Sequence, residues 1–190
     1  MIAQFGALAA ATMLFSIFAN LIITPLIMTH VRLVGLYQIL AISVDKEVLE
    51  NSPLFAGMSN YQRRKAILIS ELNEFEKGEK LIEQDTTERS MYLLLSGEVD
   101  VIRHDDGESL HLATLKSGQV FGEIGFIRET HRTADVQATT PVSVLRFDYE
   151  KLRKDLILFP NIIAKLNFNI SCILGERLAD VVETMGKKSH

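Results

Sequence analysis

Glycines at positions 78, 97, 107 and 118 cut the middle of the chain into short apolar runs: Lys80 to Glu83, Met91 to Leu95, Val99 to Arg103 and Leu110 to Leu115. Runs this short, closed by turn residues, fit antiparallel strands and are too brief for helices that bury one face. Asp106-Gly107 is a strong hairpin signal, because Gly accepts the positive φ of a tight two-residue turn. Val99 and Val101 alternate with Glu98 and Asp100, as a half-buried strand requires. Val142 to Phe147, entered through Pro141, predicts a further strand. Roughly eight strands in about 75 residues predict a jelly roll or β-roll.

Helices are expected on both sides of it. Ser59 is a good N-cap for a helix over 61–70, preceded by the turn signal Ser52-Pro53-Leu54-Phe55. Its Arg63-Arg64-Lys65 run reads as a solvated face or, beside a membrane, as a contact for anionic headgroups. Asp148 to Leu158 predicts a short helix ended by Pro160, and 161–185 a longer one. In the latter Ile163, Leu166, Ile170 and Ile173 step by three and four, and Leu174, Leu178 and Val181 continue the stripe. The fold class is therefore α+β: an antiparallel, jelly-roll-like β-roll with flanking helices.

The N-terminus lives in a different solvent. No residue from Met1 to Thr29 carries a formal side-chain charge. An apolar stretch of about 20 residues spans a bilayer, so 1–29 predicts one transmembrane α-helix. It is too long, and lacks the basic start, for a signal peptide. His30 and Arg32 follow it, which places the C-terminal side in the cytoplasm and the protein in the cell membrane as a single-pass chain. Asn20 inside the span predicts a hydrogen bond to another helix. Residues 30–47 predict a juxtamembrane linker helix, interfacial or packed on the next domain. The net charge of -4 implies no polyanion partner. Cys172 is the one cysteine, so no internal disulfide exists, and a helical packing role suits it.

The chemistry concentrates in 121–138, which opens Phe-Gly-Glu-Ile-Gly-Phe-Ile-Arg and continues through His131, Arg132, Thr133, Ala134 and Val136 to Ala138. Gly122 and Gly125 permit close backbone approach. Ile124, Phe126 and Ile127 can anchor one helical turn, leaving its first amides for an anion. Arg132 adds a permanently charged planar fork suited to phosphate oxygens. Thr133 and Ala134 are small enough for their amides to reach the same oxygens. Glu123 fits beside an anion only if it faces a sugar hydroxyl. A phosphate and a hydroxyl about one ribose apart point to a nucleotide.

This stretch resembles the phosphate-binding cassette of cyclic nucleotide-binding domains: Phe-Gly-Glu, a few apolar residues, a short turn, then Arg, a small residue and Ala. The resemblance extends over about 48–180, predicts a cyclic nucleotide-binding domain over 48–185, and implies cyclic AMP or cyclic GMP as ligand, with no cofactor. It implies that Gly122, Arg132, Thr133 and Ala134 hold the cyclic phosphate, that Glu123 accepts from the ribose 2′-hydroxyl, and that Ile124 belongs to the same set. Val101 and Leu112 are the implied apolar wall for the base. It also implies a lid and a dimer contact from 161–185. Two positions depart from the family pattern: Asp85 and Glu129 stand where glycines are usual, the second near the expected phosphate. The polar pair that relatives carry on the last helix falls at Val181 and Val182 here, with Thr184 the nearest hydroxyl.

Residues 19–26, Ala-Asn-Leu-Ile-Ile-Thr-Pro-Leu, are similar to the last transmembrane helix of resistance-nodulation-division exporters, including the lipid-exporting branch. That implies partner helices of a transporter and a regulatory role beside it. No enzyme is expected: His104, His111 and His131 are isolated, so a metal-dependent jelly-roll site lacks its ligand pair. The polar tail 186–190 leaves no room for a recognition helix, so nucleic acid is not an expected partner. The rival reading is a ligand-free module that docks or assembles a transporter.

Overall fold

A computed structural model describes residues 6, 9, 12, 13, 15–18, 46–105 and 107–188. The chain divides into two compact units, Met1–Val44 and Asp45–His190. In the first, the described positions are helical. Most of the expected membrane span over 1–29, and nearly all of the linker over 30–47, lie outside the described residues. Among the described residues no helix is long and apolar enough to cross a membrane.

The second unit opens with α1 (Lys46–Asn51), a 3-10 turn (Pro53–Phe55) and α2 (Asn60–Ile69). Eight strands follow: β1 (Glu71–Phe75), β2 (Lys80–Ile82), β3 (Ser90–Ser96), β4 (Glu98–Asp105), β5 (Glu108–Lys116), β6 (Val120–Phe121), β7 (Asp135–Ala138) and β8 (Val142–Asp148). The six-residue α3 (Glu123–Arg128) interrupts them between β6 and β7, and α4 (Tyr149–Asp155) and α5 (Pro160–Lys188) close the chain. Two four-stranded antiparallel sheets result, in the orders β1-β8-β3-β6 and β2-β7-β4-β5. The expected β-roll with flanking helices is thus present.

Local chemistry accounts for the boundaries. Ser59 caps α2 reciprocally with Gln62, each side chain accepting from the other's backbone N–H, at 3.3 and 2.9 Å. Asp148 caps α4 by accepting from Lys151 N at 2.9 Å. Pro160 does not end α4; it opens α5, where its missing N–H costs nothing. The Asp105↔Glu108 pairing closes the β4–β5 hairpin at Gly107, whose φ is +88°.

The core between the sheets is built from Leu81, Tyr92, Leu94, Val99, Phe121, Val136 and Val144, among others. β3 is buried from Ser90 to Leu95, because one face meets the opposite sheet and the other lies under helices. α5 presses Ile162, Leu166, Ile170 and Ile173 into the protein, so its buried stripe starts at Ile162 rather than Ile163. Asn169 donates from Nδ2 to Leu54 O at 2.8 Å and to Ala56 O at 3.0 Å, fastening the 3-10 turn to this helix. Beyond Ile173 the helix leaves the core: Leu178 and Val181 are exposed.

Candidate functional site

The exit of α5 from the core leaves a cavity of about 590 Å³ between the helix, β4–β5 and the segment from Phe121 to Ala134. Such a volume suits a nucleotide-sized ligand. All eight residues picked from the sequence line it: Val101, Leu112, Gly122, Glu123, Ile124, Arg132, Thr133 and Ala134. Ile82, Leu115, Phe121 and Val136 extend its apolar wall.

α3 shapes the floor. Gly122, at φ +76°, takes the left-handed conformation that starts the helix, and its carbonyl accepts from Phe126 N at 3.1 Å. Phe126 is buried and packs edge-on against Tyr149, the ring centroids being 5.3 Å apart. Ile124 and Ile127 are both partly exposed, so Phe126 alone of the three anchors the turn to the core, and Ile124 faces the cavity instead. The first amides of any helix lack an acceptor within it.

Arg132 is held from several sides. Its Nη1 donates to Gly122 O at 2.9 Å, and its Nη2 to Ser90 O at 2.7 Å and Ser90 Oγ at 2.9 Å. Its own backbone exchanges bonds with the β2–β3 turn, N to Thr86 O at 2.8 Å and O from Asp85 N at 2.9 Å. The residue is 4% exposed, and its Nε has no hydrogen-bond partner. Among the described residues no carboxylate lies within ion-pair distance of it. Burial pushes its pKa down, against the pull of Tyr92, Glu88 and Glu123, yet a guanidinium stays charged. The cavity wall thus contains a desolvated cation whose hydrogen bonds, among the described residues, go to neutral oxygens. Gly125 makes room for it, since a Cβ there would lie 2.8 Å from Arg132 Nη1.

Glu123, 3% exposed, meets a cation the sequence reading overlooked. Arg177 on α5 donates from Nη1 to Glu123 Oε1 at 2.5 Å and from Nη2 to Val120 O. Leu174, Arg177, Leu178, Asp180 and Val181 form the helix side of the cavity. The period of α5 contained this signal: positions 174, 177, 178 and 181 share one face. The charged residues on that face are Arg177 and Asp180, one turn and one residue before Val181.

The two departures from the cassette pattern are also placed. Asp85 and Glu129 both adopt positive φ, +65° and +51°, where a glycine would be unstrained. Glu129 turns to solvent, its side chain 75% exposed and 3.3 Å from Arg89 Nη1, so its charge is not in the cavity wall. Just after the cassette, buried Asp135 accepts from Lys80 Nζ at 2.6 Å and Gln84 N at 2.7 Å, and lies 3.1 Å from His104 Nε2. This cluster ties β2, β4 and β7 together beside Arg132.

Comparison with known proteins finds a family match and similar structures. Residues 72–156 match the family model of the cyclic nucleotide-binding domain. The chain is 32% identical over 103 residues to the cAMP-dependent protein kinase regulatory subunit of Schizosaccharomyces pombe, covering 54% of this chain and 24% of that one. It is 30% identical over 125 residues to the cyclic nucleotide-gated channel beta-3 of Homo sapiens, covering 64% of this chain and 15% of that one. Among solved structures, the catabolite activator protein of Thermus thermophilus superposes with a TM-score of 0.64 at 25% identity, over 73% of this chain and 63% of that one. The chain spans about a quarter of the kinase regulatory subunits it matches.

Proposed function

We propose that the cyclic nucleotide-binding domain matched over residues 72–156 holds a cyclic nucleotide in the cavity beneath α5 and acts as a regulatory sensor. The observation that supports this best is Arg132: a buried cation in the cavity wall with no carboxylate partner among the described residues. A cyclic phosphodiester is an anion of matching charge and size. Gly122, Thr133 and Ala134 would add backbone contacts, Glu123 the ribose contact, and Val101, Leu112 and Ile124 apolar walls for base and sugar. Each charge-assisted contact contributes about 1.5–3 kcal/mol. A micromolar complex needs about 8 kcal/mol, which two such contacts, several amides and base burial reach after ordering costs.

Ligand acts on α5 through differential affinity for its arrangements. Arg177 makes this concrete, because a ribose hydroxyl at Glu123 and the Arg177 guanidinium would address the same carboxylate. The proposal extends to the N-terminus: the uncharged run to Thr29 tethers the sensor to the cell membrane, with the domain in the cytoplasm, beside the helices of a transporter that it controls. It also extends to a dimer through α5, whose Phe168, Leu178, Val182 and Met185 are exposed. The role is binding rather than catalysis.

A second reading, a ligand-free docking module, draws on the same Arg177 contact, which already occupies Glu123. Calorimetric titration of the protein with cyclic AMP and cyclic GMP decides between them. Saturable heat that disappears in Arg132→Leu is the expected result. Absence of heat with both nucleotides overturns the sensor and leaves the docking module.

A further inference from the structure

We infer that the face formed by α2 and the turn between α4 and α5 is a docking surface for an anionic lipid bilayer. Four large apolar side chains stand out from it: Tyr61 is 57% exposed, Leu68 51%, Ile157 72% and Leu158 82%. On α2, Tyr61, Arg64, Lys65 and Leu68 step by three and four and share one side, while Ala66 and Ile67 are buried on the other. The two elements make one continuous surface. The Tyr61 and Phe159 rings meet edge to face at 6.3 Å, and Lys65 Nζ lies 6.0 Å from the first ring and 5.0 Å from the second.

Charge specifies the partner. Arg64 and Lys65 lie on the Tyr61–Leu68 side of α2, and α4, which packs against α2, carries Lys151, Arg153 and Lys154. The acids on these helices and at the start of β1 are Glu71, Glu150 and Asp155. Glu71 takes up Lys151 and Arg146, both at 3.1 Å, and Glu150 takes up Arg153 at 2.9 Å, so Arg64, Lys65 and Lys154 carry the excess positive charge of this face. Adjacent Ile157 and Leu158 at the tip of a turn are a poor choice for water and a good one for the acyl boundary. An aromatic at the rim and basic residues around it are the chemistry of a headgroup layer carrying negative charge. All of these residues belong to the second unit, and none to 1–29. α5 starts in this face at Pro160 and reaches the cavity at Leu174, so the surface and the ligand site share one helix.

The chain contains no tryptophan, so Leu158→Trp, or independently Ile157→Trp, installs a single emitter in the full-length protein. With vesicles containing phosphatidylglycerol, emission is expected to shift to the blue and to be quenched by brominated acyl chains. With phosphatidylcholine alone neither change occurs, and Arg64→Glu and Lys65→Glu together abolish both. Flotation with the vesicles reports separately on the N-terminal segment. A chain that floats while both emitters stay in water overturns the inference and spares the anchor. Equal quenching in both vesicle types, survival of the signal after charge reversal, or a blue shift without lipid, which would mean cover by a second copy or by the chain itself, each overturns it too.

Discussion

Arg132 concentrates the question at the scale of one residue. Its guanidinium serves two masters, the neutral oxygens of Gly122 and Ser90 and the anion proposed for the cavity. Arg132→Leu is expected to weaken cyclic nucleotide binding by at least about 100-fold, since each charge-assisted contact is worth about 1.5–3 kcal/mol. The ligand-free variant should also melt at a lower temperature, because the Ser90 and Gly122 oxygens lose their donor. Asp135 carries a pH dependence of definite sign. Burial pushes its carboxyl up, but Lys80, the Gln84 amide and His104 outweigh that and hold it below the ordinary value. A depressed carboxylate stabilises the fold fully above its unfolded pKa of about 3.9, and the stabilisation is lost as pH falls through the folded value. Asp135→Asn should therefore melt well below wild type at pH 7, by about 2 kcal/mol for its lost charged hydrogen bonds. The gap should narrow as pH falls below about 3.9. A gap that stays constant with pH would show that the Lys80 and His104 contacts contribute nothing.

At the scale of elements, α3 and the far end of α5 frame the cavity. Gly125 lies inside α3 with ordinary helical φ, so Ala there improves helix propensity by about 1 kcal/mol. Its Cβ would nevertheless crowd Arg132 Nη1 at 2.8 Å. Gly125→Ala should leave the melting temperature nearly unchanged while raising the nucleotide Kd about tenfold, measured by calorimetry alongside Arg132→Leu. Arg177 is the pin of α5: past Ile173 the helix has little buried apolar surface to hold it. In ligand-free protein, Arg177→Ala should speed amide hydrogen exchange over 174–186 and leave 160–173 protected. Uniform exchange along the helix in that variant would mean that the Glu123 contact does not hold the lid.

At the scale of the molecule, a ligand that binds only the folded state shifts its melting. At 100 times Kd the gain is about 2.7 kcal/mol. Thermal shift with cyclic AMP or cyclic GMP should thus rise with concentration in wild type and stay flat in Arg132→Leu. The two sheets, α3 and the long α5 gather residues as far as 99 positions apart in sequence, Ile82 and Val181, around one cavity. The same architecture sets the lipid-facing surface at the other end of α5, so ligand and membrane contacts would act on a shared lever.

The architecture was legible in the sequence where a local rule governs: glycine-punctuated runs marked β2 to β5, Ser59 marked the start of α2, and the Phe-Gly-Glu to Arg-Thr-Ala spacing marked the cavity wall. These depend on backbone sterics and hydrogen bonding within a few residues. What lay beyond the sequence depends on contacts distant along the chain. β3 shows no alternation because helices and a sheet cover both its faces. Glu129 turns outward because Arg89, 40 residues earlier, stands beside it. Arg177 finds Glu123 across 54 residues only once α5 has folded back over the roll. Short-range stereochemistry determined which elements form and which groups the cassette offers. Long-range packing decided which of those charges are already paired and which are left for a ligand.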